Sequence, residues 1–178
     1  MKAEKSLLAD KAILIVDDEP DVLESLEELL PMCDVVKASS FEEARRLLES
    51  RNFDLAILDI MGVDGYRLLD IANEKKVMAI MLTAHALSPE DTVKSYKKGA
   101  AFFVPKEKLA EITTFLNDVL EAKEKGHDYW ASWLDRLGEY YDKKFGSHWQ
   151  NSEREFWDKL AKQGWRLASI IRRDEGKM

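Results

Sequence analysis

With 178 residues, 46% of them hydrophobic and 34% charged, the chain has the composition of one ordinary folded domain plus a small appendage, which excludes a disordered or collagen-like protein. Its net charge of -7 argues against nucleic-acid binding by the whole chain, and no apolar run approaches the roughly 20 residues that span a bilayer. The N-terminal segment MKAEKSLLADK lacks the apolar core of a secretion signal, and the single cysteine, Cys33, can form no internal disulfide. Both observations set the cytoplasm as the expected compartment.

The first part of the chain alternates short apolar runs with amphipathic stretches. Ala12–Val16 (AILIV) is apolar, β-branched and too short for a helix, so it reads as a buried strand. Pro20 suits the first turn of the helix that follows, in which Val22, Leu23, Leu26, Leu29 and Leu30 recur at helical spacing. Asp34–Ala38 is a second strand. Ser40 with Glu43 three positions on forms a capping box for the next helix, whose apolar stripe is Phe41, Ala44, Leu47 and Leu48. Leu55–Leu58 is the third strand, and Asp64 and Gly65 precede a helix with Leu68, Leu69 and Ala72 inward. Val77–Leu82 is the fourth strand. Ser88, Pro89, Glu90 and Asp91 supply a cap, a proline and acids facing the helix dipole, and Gly99 ends that helix. Ala101–Val104 is the fifth strand, followed by a helix over residues 108–123.

Continuous apolar strands are buried on both faces, so five of them alternating with five helices predict a parallel sheet between two helix layers. After residue 122 the composition changes. Residues 1–122 carry 15 basic and 24 acidic side chains, a balance of -9, whereas residues 123–178 carry 12 and 10, a balance of +2. All five tryptophans (Trp130, Trp133, Trp149, Trp157, Trp165) fall in the second part. The expected organisation is an α/β domain over residues 1–123 and an all-α helical extension over 124–178. In the extension, Trp130, Trp133, Leu134, Leu137, Tyr140 or Tyr141, and Phe145 recur at spacings of three and four. Gly146–Asn151 reads as a turn. Ser152 with Glu155 reads as a second capping box opening a helix with Trp157, Leu160, Leu167, Ala168 and Ile171 on one side, giving an αα-hairpin.

In parallel α/β sheets, sites form beyond the carboxyl ends of the strands. There the sequence places Asp17 and Asp18 after strand one, Asp59 after strand three, Thr83 after strand four and Lys106 after strand five. Three clustered carboxylates repel one another unless a cation joins them. A hard divalent ion with oxygen ligands, such as magnesium, resolves the repulsion and keeps positions open for phosphate oxygens. Lys106 supplies a point charge for a phosphoryl group, Thr83 a hydrogen bond, and Asp59 a carboxylate nucleophile.

The segments ILIVDDEP, LAILDI, IMLTAH and GAAFFVPK resemble the response regulator receiver family of two-component signalling, in the family's order and over residues 10–123. The resemblance implies a flavodoxin-like fold. It implies magnesium held by Asp18, Asp59 and the Met61 backbone carbonyl, with Asp17 assisting through water. It also implies Asp59 as phosphoacceptor and Thr83 with Phe103 as a switch pair in which the ring rotates inward. Phe103 is otherwise simply a core residue of its strand. The segment from Asp59 to Gly65 is shorter than the family's loop and lacks its proline. Pro105 precedes Lys106, where the family has proline after the lysine with a cis bond. His85, two positions past Thr83, either orients or blocks water at the phosphorylated site or is a surface histidine.

The expected function is a switch rather than an enzyme. A sensor histidine kinase or phosphotransfer protein phosphorylates Asp59, and the extension carries an output to a second copy of the chain or to a downstream protein. The tryptophans are either a compact core or such an interface. Three other readings stand beside this one. A magnesium phosphatase would want a second acid where Ile60 and Met61 stand. A DNA-binding regulator would use Lys143, Lys144, Arg166, Arg172 and Arg173. A receiver-shaped scaffold would take no phosphate.

Overall fold

The structure is a computed structural model and describes residues 7–84 and 87–162. His85, Trp165, Leu167, Ala168, Ile171 and the three C-terminal arginines named above lie outside the described residues.

Five strands form one parallel sheet in the order β2-β1-β3-β4-β5. They are β1 (Ala12–Val16), β2 (Asp34–Ala38), β3 (Leu55–Asp59), β4 (Met78–Thr83) and β5 (Phe102–Pro105). Each is followed by a helical connection: α1 (Pro20–Leu29), α2 (Phe41–Ser50), α3 (Gly65–Glu74), α4 (Pro89–Lys97), and a 3₁₀ turn (Lys106–Glu111) running into α5 (Ile112–Lys125). The expected doubly wound α/β sheet is therefore the fold. Every residue of β3 is buried, and Ile13, Leu14, Ile15, Ala79, Ile80, Met81 and Leu82 are inaccessible to solvent. That matches strings with no polar alternation, because helices cover both faces of such a sheet.

Local signals act largely as expected. Ser40 Oγ accepts the Glu43 N–H at 3.2 Å, while Glu43 Oε1 accepts the N–H of Ser39 rather than of Ser40, at 2.8 Å. Ser88 Oγ accepts the Asp91 N–H at 3.0 Å, and Gly99 leaves α4 at φ +90°. The helix expected over 108–123 begins differently. Pro105, extended at φ -65° and ψ 139°, is followed by a 3₁₀ turn in which Lys108 departs from helical geometry, so regular α-helix starts only at Ile112.

The chain divides into two compact units between Glu121 and Ala122. In the second unit, α6 spans Trp133–Phe145, a 3₁₀ turn spans Asn151–Glu153, and residues 154–162 are helical. Trp130 lies in the turn before α6, because the Asp128 carboxylate accepts its N–H at 2.8 Å and holds the chain in a local turn. Of the tryptophans described, Trp130, Trp133, Trp149 and Trp157 are buried and converge on one ring. Trp133 lies 4.8 Å from Tyr141, 5.4 Å from Trp157, 5.8 Å from Trp130 and 6.4 Å from Trp149, centroid to centroid. The core reading of the aromatics holds for these four. The expected Ser152–Glu155 capping box does not form. Ser152 sits inside the 3₁₀ turn instead of in the extended conformation an N-cap needs, and the Asn151 carboxamide takes an Arg154 guanidinium hydrogen at 2.9 Å.

Candidate functional site

The site lies at the carboxyl ends of β1, β3, β4 and β5. The register aligns these ends: Val16 pairs with Leu58, Asp59 with Leu82, and Thr83 with Pro105. Asp17 and Lys106, which follow β1 and β5, and Asp59 and Thr83, which end β3 and β4, thus emerge at one end of the sheet. Asp17 is fully buried, Asp59 is 4% exposed and Thr83 is inaccessible, while Asp18 is exposed.

Lys106 joins the acids. Its Nζ lies 2.7 Å from Glu19 Oε1, 2.9 Å from Asp17 Oδ2 and 3.4 Å from Asp59 Oδ1. Asp17 Oδ1 accepts the Glu19 backbone N–H at 2.9 Å. Its other oxygen, Oδ2, is buried and has no aligned hydrogen-bond donor, so its contact with Lys106 is an ion pair only. Glu19 is the residue that sequence reasoning passed over. Its signal was the acid directly before Pro20. A proline in the first turn leaves the preceding residue extended, here at φ -95° and ψ 112°, which sends the Glu19 side chain away from the helix and over the site.

Burial and the negative charge of Asp17 push the Asp59 carboxyl up to about 7, against the pull of Lys106. Burial raises Asp17 as well, opposed first by the Glu19 N–H and then by Lys106. Burial alone would pull Lys106 down, but hydrogen bonding to Glu19 and the negative charge of Asp17 hold it above the ordinary lysine value. A carboxyl raised from 3.8 to about 7 on folding contributes stability in its protonated form, and that contribution fades as pH rises toward neutrality. Metal-free Asp59→Asn is accordingly expected to exceed the wild type in stability by about 2 kcal/mol at pH 8, with the gap closing as pH falls from 7 toward 4. Urea denaturation in chelator across that range checks this; a gap independent of pH would refute it.

The donor set fits a hard divalent cation. Ligand oxygens of Asp17 and Asp18 lie within 4.8 Å of each other and of Glu19, whose own carboxylate is turned to Lys106 at 2.7 Å; both aspartates are oxygen donors, and Asp17 Oδ2 is a buried acceptor with no aligned donor. Asp59 reaches the trio through the shared Lys106 ammonium. The shortened loop after Asp59 runs close to Asp18. A Cβ built on Gly62 would lie 2.6 Å from Asp18 Cγ, so a side chain there would push the Asp18 carboxylate aside. The neighbouring Met61 side chain is 52% exposed. Among the described residues no peptide bond is cis, so the exchange of order at Pro105–Lys106 carries no cis bond with it.

Thr83 and Phe103 share a sheet face. Met81 is opposite Phe103 and Thr83 opposite Pro105, and side chains two apart along a strand point the same way. Phe103 is fully buried, with its ring inside the domain. Phe102 points to the other face, where its ring lies 5.5 Å from that of Phe115 on α5.

An open parallel sheet in the order 2-1-3-4-5, with acids beyond β1 and β3 and a lysine beyond β5, defines a flavodoxin-like receiver fold. The family model of the response regulator receiver domain matches residues 13–117, and the chain belongs to that family. It is 33% identical over 124 residues to the response regulator GtcR of Aneurinibacillus migulanus, covering 64% of this chain and 51% of that protein. It is 36% identical over 99 residues to the heme response regulator HssR of Staphylococcus aureus (strain Newman), covering 52% and 43%. The chain spans about half or less of the length of these curated relatives. Among solved structures, a CheY-like response regulator receiver domain protein from Methanospirillum hungatei superposes with a TM-score of 0.60 at 30% identity, covering 66% of this chain and 99% of that one.

Proposed function

We propose that the chain is a phosphorylation-controlled switch in which Asp59 accepts a phosphoryl group from a phosphohistidine of a sensor kinase or phosphotransfer protein in the cytoplasm. The observation that carries this reading is the meeting of a buried Asp59 carboxylate with the Lys106 ammonium at 3.4 Å, beside the acidic end of β1. An Asp59 oxygen forms the bond to phosphorus as the phosphorus–nitrogen bond to the donor imidazole breaks, and the electron pair leaves on that nitrogen. Lys106 neutralises charge on the transferred group, and Thr83 donates its hydroxyl hydrogen to a phosphoryl oxygen. Asp17, Asp18 and Asp59, with the Met61 carbonyl, are the groups that would hold magnesium. When bound, the ion would offset the negative charge gathered during transfer.

The role is that of a switch rather than a turnover catalyst. Ile60 is buried and apolar, and neither it nor Met61 offers the second acid that an aspartate-nucleophile phosphatase uses. Phosphorylation adds nearly two negative charges, enough to draw Thr83 and Lys106 toward Asp59 and shift the surfaces around β4 and β5. The C-terminal unit passes that change on by protein–protein contact, with a second copy or a downstream partner. No helix among the described residues is long and apolar enough to cross a membrane.

The decisive experiment is intact-protein mass after incubation with magnesium and acetyl phosphate. The wild type is expected to gain one phosphoryl group and Asp59→Asn none. Equal gain in both would move the acceptor elsewhere. No gain in the wild type, from acetyl phosphate or from a panel of phosphorylated kinases, would favour a receiver-shaped scaffold that takes no phosphate.

A further inference from the structure

The Lys106 ammonium has three acidic neighbours, and the nearest is not one that the proposed transfer requires. Its contact with Glu19 Oε1, at 2.7 Å, is an aligned hydrogen bond joining residues 87 positions apart. The distances to Asp17 and Asp59 are longer, 2.9 and 3.4 Å. The Asp17 oxygen facing it has no aligned donor. Lys106 is thus aimed at Glu19 before it is aimed at the acceptor.

The three acids differ in what losing the lysine would cost them. The side chains of Asp17 and Asp59 are 0% and 5% exposed, whereas that of Glu19 is 51% exposed. A buried carboxylate stripped of its cation is left without compensation. A half-exposed one regains water, and its ion pair is weak in the first place. Glu19 is therefore the partner that can give Lys106 up. The backbone beneath it stays fixed: the Glu19 N–H donates to Asp17 Oδ1 at 2.9 Å, and its carbonyl accepts the N–H groups of Val22 and Leu23 at 3.1 and 3.3 Å. Only the side chain has to move.

We propose that Glu19 is a positioning residue that holds the Lys106 ammonium in the unphosphorylated protein and sets how readily that ammonium transfers to a phosphoryl group on Asp59. The inference rests on Asp59 as the acceptor. A new dianionic group on Asp59 competes with Glu19 for one ammonium, and the strength of the Glu19 contact opposes the switched state. Without the glutamate charge, Lys106 is available to the phosphoryl group at no cost, and the switched state forms more easily.

The test uses the full chain and beryllofluoride, a phosphoryl mimic that needs no donor, titrated calorimetrically at saturating magnesium. Magnesium alone is titrated separately. Glu19→Gln keeps the shape and removes the charge. Glu24→Gln, an exposed acid on α1, removes the same charge without touching Lys106. Glu19→Gln is expected to bind beryllofluoride about 3- to 10-fold more tightly than wild type, the range of a weak ion pair, and to bind magnesium within about twofold of wild type. Glu24→Gln is expected to match wild type. In a Lys106→Met background the Glu19→Gln effect is expected to vanish, because there is no ammonium left to hold.

Wild type that binds beryllofluoride with the same affinity as Glu19→Gln overturns the inference and leaves Asp59 as acceptor untouched. So does a fall in magnesium affinity in Glu19→Gln, which would make Glu19 a metal ligand. An equal gain in Glu24→Gln would reduce the effect to general charge and sink it too. Wild type that binds no beryllofluoride at all removes the acceptor reading, and this inference with it.

Discussion

Trp133→Ala is expected to destabilise the C-terminal unit by about 3–5 kcal/mol, the usual cost of truncating a buried tryptophan. Trp133 is inaccessible to solvent and touches Trp130, Tyr141, Trp149 and Trp157 with its ring. An alanine there leaves a void at the centre of the cluster, and the surrounding rings are too large to close it without leaving their rotamers. A helical unit this small has few other buried groups to draw on, so the loss is a large share of its total stability. The near-UV circular dichroism of the tryptophans is the readout. It should collapse in the variant at urea concentrations that leave the wild type folded, while phosphoryl gain on Asp59 persists. A near-UV signal and urea midpoint equal to those of wild type would mean that the cluster is ornamental to the unit's stability.

Gly65→Ala is expected to cost about 2–3 kcal/mol and to slow phosphoryl gain. A Cβ at this position would lie 2.8 Å from both the carbonyl carbon of Asp59 and the Cα of Ile60, and would collide with the Asp59 carbonyl oxygen. These are backbone atoms, which cannot rotate out of the way as a side chain does. Either the start of α3 moves or Asp59 moves, and the β3 register with β4 at Asp59–Leu82 resists the second. Gly62→Ala makes the informative contrast. Gly62 sits at φ +83°, and its Cβ would meet the Asp18 carboxylate, which is exposed and can swing aside. Its cost is the backbone strain of about 1 kcal/mol, accompanied by weaker magnesium binding because Asp18 is displaced. Paired thermal melts and magnesium titrations decide between these outcomes; if the alanine at 62 proves the more destabilising of the two, the reading of this loop is wrong.

The sheet was legible because its strands advertise themselves. AILIV and LAIL are most readily placed in a two-sided core, and errors among the strands amount to one residue added at the end of β3 and one-residue shifts at β4 and β5. Caps on Ser40 and Ser88 were equally readable, since each needs only a side chain three positions from its partner. The misreadings sit at helix starts. Trp130 fits a helical pattern, yet the Asp128 carboxylate accepts its N–H and turns the backbone first, and Ser152 lies inside a 3₁₀ turn rather than at an extended N-cap. At the site, Asp17, Asp59, Thr83 and Lys106 were visible from strand ends alone. Glu19 was not, because an acid before a helix has an ordinary explanation as a partner of the helix dipole. Its actual partner lies 87 positions away, and no local pattern announces a contact across that distance.

The two ends of the sheet order restrict how copies of this protein can meet. β2, at one edge, exposes Asp34 and Lys37, and Lys37 is paired with Glu27 at 2.9 Å. A strand arriving to extend the sheet there would have to strip water from both charges. β5, at the other edge, is only four residues long, is buried throughout, and ends in Pro105, which has no N–H to offer. Growth by strand addition, the route to cross-β aggregates, is therefore blocked on both sides. A second copy of the chain would have to meet it through surfaces other than these two strand edges.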